Sequence, residues 1–348
     1  MDHPAEGATT TAMAPLDPAD ASTDPSEPNV AALGTIRLQA EEHPLIGDLP
    51  PTSATEHCLR LMHLKSYEVA AAMASGCDVL DVGCNTGYGT LGFVHVGGRV
   101  VGVDVSPTAI EAARAAAVDG RPEFLTTDGL SLPFPDASFG LVVAFQVLEH
   151  IDDPLPYLRE LARVSAPGGI IVLTTPNAAT RLYPGMTPWN RFHVREYRAD
   201  ELEGLLRSVF PQVRIRGMFG TATLYETEIG RVDGARRRVR RNEAAKRAAA
   251  AAVARAAAAR RRPLPVRMAR AALPAGARAW LRSVTRSGSH AGRSLTPAPP
   301  PATPAPPPAN PEPAMDLETF LRFSVADLFY AETDLERAMD LMAVCRLD

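Results

Sequence analysis

Val79-Leu80-Asp81-Val82-Gly83-Cys84-Asn85-Thr86-Gly87-Tyr88-Gly89 is an apolar run that ends in a carboxylate and breaks into a glycine-rich turn. Glycine admits positive φ and lets backbone approach a ligand closely, and the start of a following helix offers free N–H groups. The stretch therefore predicts a strand, a tight loop and a bound cofactor, with Asp81, Gly83, Asn85 and Gly87 at its centre. Its spacing, G-x-x-x-G-x-G, differs from the G-x-G-x-x-G of dinucleotide binders, which argues against a nicotinamide-dependent dehydrogenase. Taken alone, the glycines also fit a plain tight turn.

Outward from that loop the pattern repeats. Val100-Val101-Gly102-Val103-Asp104 is a second apolar run ending in an acid, and Asp104, with Val105 beside it, suits the two hydroxyls of a ribose. The competing role for Asp104 is a helix N-cap, which Ser106-Pro107 can also fill. A third run, PEFLTTD, ends at Asp128-Gly129, where a short acid can accept from an adenine amino group or simply close a turn. The fourth, Leu141 to Phe145, runs into Gln146-Val147-Leu148-Glu149-His150-Ile151-Asp152-Asp153-Pro154. Ligands of open α/β sheets lie beyond the carboxyl ends of the strands, so these polar groups stand where cofactor and substrate meet.

Helical patterns alternate with the strands: EHCLRLMHLKSYEVAAAMA from Glu56, a segment near 87–95, Pro107 to Ala117, Pro154 to Val164 and Asp200 to Val209. Two later strands, GGIIVLTT and QVRIRGMF, complete the alternation. Strand and helix in turn imply a mostly parallel sheet with right-handed crossovers, an α/β fold in three layers.

The 348 residues, 46% hydrophobic, suffice for a large core. Lys plus Arg number 36 against 40 Asp plus Glu, so whole-chain charge favours neither a nucleic-acid nor a membrane partner. Cys58, Cys77, Cys84 and Cys345 form no CxxC pair, which disfavours a zinc site or a disulfide framework. With no basic and apolar leader and no run of about 18 apolar residues, the expected location is cytoplasmic.

Residues 1–32 read as a disordered tail, and 33–230 together with 315–348 as one catalytic domain. Between Arg231 and Arg286 stand 17 Lys or Arg against Asp233 and Glu243 in an Ala-rich background, a basic helical insertion assigned to 231–295. Residues 296–314, TPAPPPATPAPPPANPEPA, read as an extended Pro-rich linker. The closing run MDLMAVCR reads as a strand that must pair back with the earlier sheet, so the insertion is an excursion within one domain. Within it, 264–286 mixes Leu, Val, Met and Trp280 with arginines, which suits peripheral contact with an anionic membrane or a lid packed on the catalytic domain.

In its acidic glycine loop, Asp104, Asp128-Gly129 and LEHIDDP, the chain resembles the class I S-adenosylmethionine-dependent methyltransferases over residues 79–177, in the broad subgroup that includes quinone and glycan methyltransferases. The resemblance implies a Rossmann-like seven-stranded sheet whose last strand is antiparallel and lies between the fifth and sixth. It implies S-adenosylmethionine as cofactor, held by Tyr67, Asp81, Gly83, Asn85, Gly87, Asp104, Val105, Asp128, Gly129 and Gln146. Asn85 replaces the usual central glycine, and Asn tolerates the left-handed conformation that the loop requires. The similar coenzyme Q O-methyltransferases carry, where Gln146 stands, an acid that belongs to their metal site, so no metal is expected here.

After the fifth strand, Trp189-Asn190-Arg191-Phe192-His193-Val194-Arg195-Glu196-Tyr197 faces the same rim as His150. Methyl transfer to oxygen needs a base near the hydroxyl, a role for His193 or His150, with Glu149, Arg195 and Tyr197 as substrate-binding groups. The alternative for either His is a structural tie within its loop. Methyltransferases with a similar N-x-F-H-V-R-E-Y pattern serve glycan and antibiotic-sugar pathways, which implies O-methylation of a saccharide hydroxyl on a glycan or glycosylated metabolite. A quinone or other aromatic or lipid metabolite is the alternative acceptor. A non-catalytic nucleic-acid-binding protein is the remaining one, although no nucleic acid is expected as partner.

Overall fold

The computed structural model describes residues 50–261 and 317–348. The expectations for the tail 1–32, the linker 296–314 and the segment 264–286 lie outside the described residues.

Local chemistry explains where the elements start. Ser53 caps α1 (Ala54–Ala74) by accepting from the Glu56 amide, and the Glu56 carboxylate accepts from the amide and hydroxyl of Thr52. One stripe of α1, including Leu61, Met62, Tyr67, Ala70 and Ala74, is buried. Ser106 with Pro107 opens α2 (Pro107–Ala116), and Asp153 with Pro154 opens α3 (Pro154–Val164).

The strands are β1 (Val79–Val82), β2 (Val100–Asp104), β3 (Glu123–Thr126), β4 (Phe139–Phe145), β5 (Ser165–Pro176), β6 (Gln212–Gly220), β7 (Leu328–Ala331) and β8 (Asp340–Arg346). They form one sheet in the order β3-β2-β1-β4-β5-β8-β6-β7. β1 to β5 pair in parallel, whereas β8 runs antiparallel to both β5 and β6. All four residues of β1 are buried, because helices cover both faces and the strand must be apolar on each. One core joins α3 (Leu158, Leu161) and α5 (Ala199–Arg207; Leu202, Leu206) to the sheet. A second joins α1, Phe93, Leu224 and Phe320 to the opposite face, and a small third gathers Cys84, Ile110, Ala113 and Phe124.

The expected last strand, antiparallel between the fifth and sixth, is β8. The strand count differs: an eighth strand, β7, pairs antiparallel with β6 at the sheet edge. Its four residues, LFYA, are too short to show a period of two. The helix expected near 87–95 is a single 3-10 turn, Thr90–Phe93, because Gly87, Gly89, Gly92, Gly97 and Gly98 crowd that stretch and disfavour an α-helix. Just before the last strand the chain makes a single 3-10 turn, Leu335–Arg337. The basic helix begins at Ala222 rather than near 231, as α6 (Ala222–Arg261). Its early turns bury Leu224, Val232 and Ala235, while residues 240–257 are all exposed. Among the described residues no helix is long and apolar enough to cross a membrane.

Candidate active site

At the carboxyl ends of β1, β2, β4 and β5 lies a cavity of about 570 Å³. Its wall includes Tyr67, Gly83, Asn85, Asp104, Val105, Gly129, Gln146, Glu149, His150 and His193, residues from six separate segments.

The loop after β1 is held by its own groups. Asn85 sits at φ 50, in the left-handed region, and its side-chain oxygen accepts from the Thr86 amide. The Asn85 amide donates to Asp104 Oδ2 at 2.8 Å, and the Ser106 amide donates to Asp104 Oδ1 at 2.9 Å. Ser106 provides the cap of α2, accepting from Ala109, so Asp104 is not the N-cap. Asp104 itself forms part of the cavity wall.

Asp81 lies behind that wall and is fully buried. Its Oδ2 accepts from Thr90 Oγ1 at 2.6 Å and from the Tyr67 hydroxyl at 3.1 Å, while Oδ1 has no partner among the described residues. Burial pushes its pKa up to about 7, although the bonds from Thr90 and Tyr67 pull the other way. An unfilled buried acceptor of this kind fits a ligand's cationic or N–H group, which is what a cofactor with an ammonium would bring. Asp128 is placed differently: Oδ1 accepts from Leu130 and Ser131 amides at 2.9 and 2.7 Å, and the cavity wall here is Thr127 and Gly129. Gly87 likewise supports the loop from outside the wall.

Gln146 ends β4 at φ 56, and its amide nitrogen donates to Thr174 Oγ1 and to Asp340 Oδ2, at 3.2 and 2.9 Å. β8 thus supports the site from behind through Asp340, which holds the cavity-lining Gln146 and whose pKa burial holds well above the ordinary carboxylate range. Glu149 is 1% exposed; Oε2 accepts from Thr175 Oγ1 at 3.0 Å and Oε1 is unpartnered among the described residues. Burial pushes its pKa up to about 8. Its backbone carbonyl accepts from the amides of Val194 and Arg195, which ties the turn after β4 to the 189–197 loop.

That tie brings the two imidazoles together. The rings of His150 and His193 meet edge to face at 4.9 Å. His193 Nδ1 lies 2.7 Å from Glu196 Oε1, and Glu196 in turn receives Nε and Nη2 of Arg181 at 2.9 and 3.0 Å. Burial works against the Glu196 charge, but the bonds from His193 and Arg181 outweigh it and hold the pKa below the usual value. Arg181, on the short helix α4 (Ala178–Arg181), also lies 4.3 Å over the ring of Trp189, which lines the cavity.

Arg195 and Tyr197 do not reach the cavity wall. The Arg195 side chain is 59% exposed, beside Glu201 and over the Tyr197 ring, and Tyr197 is buried in the core. Sequence reasoning missed Arg181, Glu196, Trp189 and Arg231, which come from the α4 helix, the 189–197 loop and α6. Glu196 stands three residues from His193, a spacing that carried the signal, whereas nothing local pairs Arg181 with it.

Residues 80–173 match a family described as a methyltransferase domain. Over 159 residues the chain is 40% identical to a probable S-adenosylmethionine-dependent methyltransferase of Mycobacterium tuberculosis, covering 45% of this chain and 57% of that protein, just over half its length. Over 190 residues it is 38% identical to a probable S-adenosylmethionine-dependent methyltransferase of Mycolicibacterium smegmatis, covering 53% of this chain and 72% of that one. Among solved structures, a Mesorhizobium loti S-adenosylmethionine-dependent methyltransferase overlays with a TM-score of 0.40 at 20% identity, covering 49% of this chain and 92% of that one.

Proposed function

The chain belongs to the S-adenosylmethionine-dependent methyltransferases, and from that premise we propose that it transfers a methyl group to a saccharide hydroxyl on a glycan or glycosylated metabolite. S-adenosylmethionine, when bound, supplies a sulfonium methyl for in-line attack by the acceptor oxygen. Asp104 and Val105 would meet the ribose and Gly129 the base, and Asp81 Oδ1, behind the wall, would reach the ammonium through water. Asp128 and Gly87 would act by shaping the loops that carry these contacts.

The observation that carries the reading is the chain Arg181–Glu196–His193 ending on the cavity. A carboxylate accepts only, so Nδ1 of His193 is the N–H and Nε2 holds the lone pair. That lone pair takes the acceptor's proton as the oxygen–methyl bond forms and the sulfur–methyl bond breaks, and Glu196 offsets the charge left on the ring. Trp189 offers a flat apolar face for sugar C–H groups, with Asn190, His150 and Glu149 as the polar groups around it. The four free cysteines suit a reducing, cytoplasmic setting.

The test is a methyl-transfer assay that measures adenosylhomocysteine release over oligosaccharides, glycosylated metabolites and reduced quinones. A saccharide product heavier by one methylene supports the reading; turnover with quinols alone overturns it.

A further inference from the structure

Glu149, His150 and His193 each present a metal-ligating atom, and the three atoms lie within 4.8 Å of one another on the cavity wall. Both imidazoles are anchored through the other nitrogen. His150 Nδ1 lies 2.8 Å from the Phe192 carbonyl and His193 Nδ1 lies 2.7 Å from Glu196. Carbonyl and carboxylate oxygens only accept, so Nδ1 is the donor in each ring and Nε2 carries the lone pair. An imidazole whose N–H is held by a carbonyl or carboxylate is the usual arrangement behind a metal ligand, because it sets tautomer and ring plane. The third group points the same way independently: Glu149 is 1% exposed, yet Oε1 has no hydrogen-bond partner among the described residues. A buried carboxylate oxygen left without a partner is costly, and a cation would satisfy it.

We propose that Glu149, His150 and His193 bind a divalent transition-metal cation at the acceptor end of the cavity. Two imidazoles and one carboxylate suit zinc, cobalt or manganese, and leave coordination positions open. Ligands of a tetrahedral ion stand roughly 3.4 Å apart, given metal–ligand distances near 2.1 Å, so side-chain rotations of about an ångström close the site. This set does not use residue 146: Gln146 spends its amide nitrogen on Thr174 and Asp340, and the ligand that completes the site comes from the 189–197 loop instead. The ion and the acceptor's proton compete for the same His193 lone pair, so with the ion seated an acceptor hydroxyl held at an open position would be acidified by the cation and lose its proton to water rather than to His193. That last step rests on the saccharide reading; the binding of the ion does not.

The experiment titrates the full-length, chelator-treated protein with cobalt(II), followed by its visible absorption and by calorimetry. A single site with imidazole-type bands is expected. Glu149→Gln and His193→Ala should each weaken cobalt binding by about tenfold or more while adenosylhomocysteine still binds, which shows that the variants are folded. A wild-type chain that takes up no cobalt, or variants that bind it as the wild type does, would overturn the site. Cobalt binding without saccharide methylation would leave the site standing and sink the proposed function; saccharide methylation by an enzyme that binds no cobalt would do the reverse.

Discussion

Asp81 is one of three buried carboxylates, with Glu149 and Asp340, on which solution pH should act. Burial lifts its pKa to about 7, against a reference near 3.9 in an unfolded chain. Between those values the folded state holds a proton that the unfolded state has lost, so stability falls as pH rises through this window, by at most about 1.4 kcal/mol per unit. Thr90, Tyr67 and Asp104 are the groups that face it. Urea unfolding at pH 5 and pH 8 should show Asp81→Asn losing part of the wild type's decline. An equal decline in both proteins would count against the assignment. An ammonium beside Asp81 favours its ionised form, so adenosylhomocysteine should bind more tightly as pH rises toward about 7, with proton release measurable by calorimetry in buffers of different ionisation enthalpy. Glu196 sets a second prediction. Its side chain is wholly buried against Arg181, so Glu196→Leu should cost about 3–5 kcal/mol by stranding the guanidinium. Pairing it with Arg181→Met should recover most of that loss in urea melts. If the single variant melts like the wild type, the ion pair is not stabilising the loop.

At the scale of elements, α1 and the loop after β1 meet with no room to spare. A Cβ on Gly89 would lie 2.1 Å from the Tyr67 ring, which itself packs edge-on against Phe145 at 4.8 Å and donates to Asp81. Gly89→Ala should therefore displace Tyr67, lowering stability by about 1–3 kcal/mol and weakening adenosylhomocysteine binding. Unchanged affinity and melting would show that the ring is not held as described. Helix α6 divides into two parts: Leu224, Glu228, Val232 and Ala235 face the body, and Arg231 lines the cavity. From Arg240 onward every described side chain is exposed. Local opening is easiest where burial is least, so brief trypsin treatment should cut between Arg240 and Arg255 first and leave cofactor binding intact. First cuts before Arg231 would contradict this packing.

At the scale of the molecule, β8 is interior to the sheet, with β5 on one side and β6 on the other, and its Asp340 accepts from the cavity-lining Gln146. Removing residues 335–348 would leave two strand edges unpaired and two cores open, and should give insoluble protein. Replacing residues 242–316 by a flexible linker of about twenty residues should instead leave a folded chain that binds adenosylhomocysteine. Soluble, cofactor-binding protein after the first deletion would refute the role given to β8.

The loop 81–89, Asp104 and the strand–helix alternation were legible in the sequence because each rests on neighbouring residues: glycine spacing, a cap, an apolar run ending in an acid. Asn85 at φ 50 shows the same, since the side chain that permits the turn is in the turn. The terminal strand could be read too, because eight consecutive residues, MDLMAVCR, signal it. What only the tertiary structure decided was which polar groups share the cavity. Arg181 and Glu196 stand fifteen residues apart, and Gln146 and Asp340 stand 194 apart, distances over which no periodicity survives. Arg195 and Tyr197 look equivalent to His193 in the sequence, yet the loop's path, fixed by amides donated to the Glu149 carbonyl, turns His193 toward the cavity and Tyr197 into the core. Burial made the same decision for Glu149, whose Oε1, unpartnered among the described residues, is enclosed only because the surrounding elements close over it.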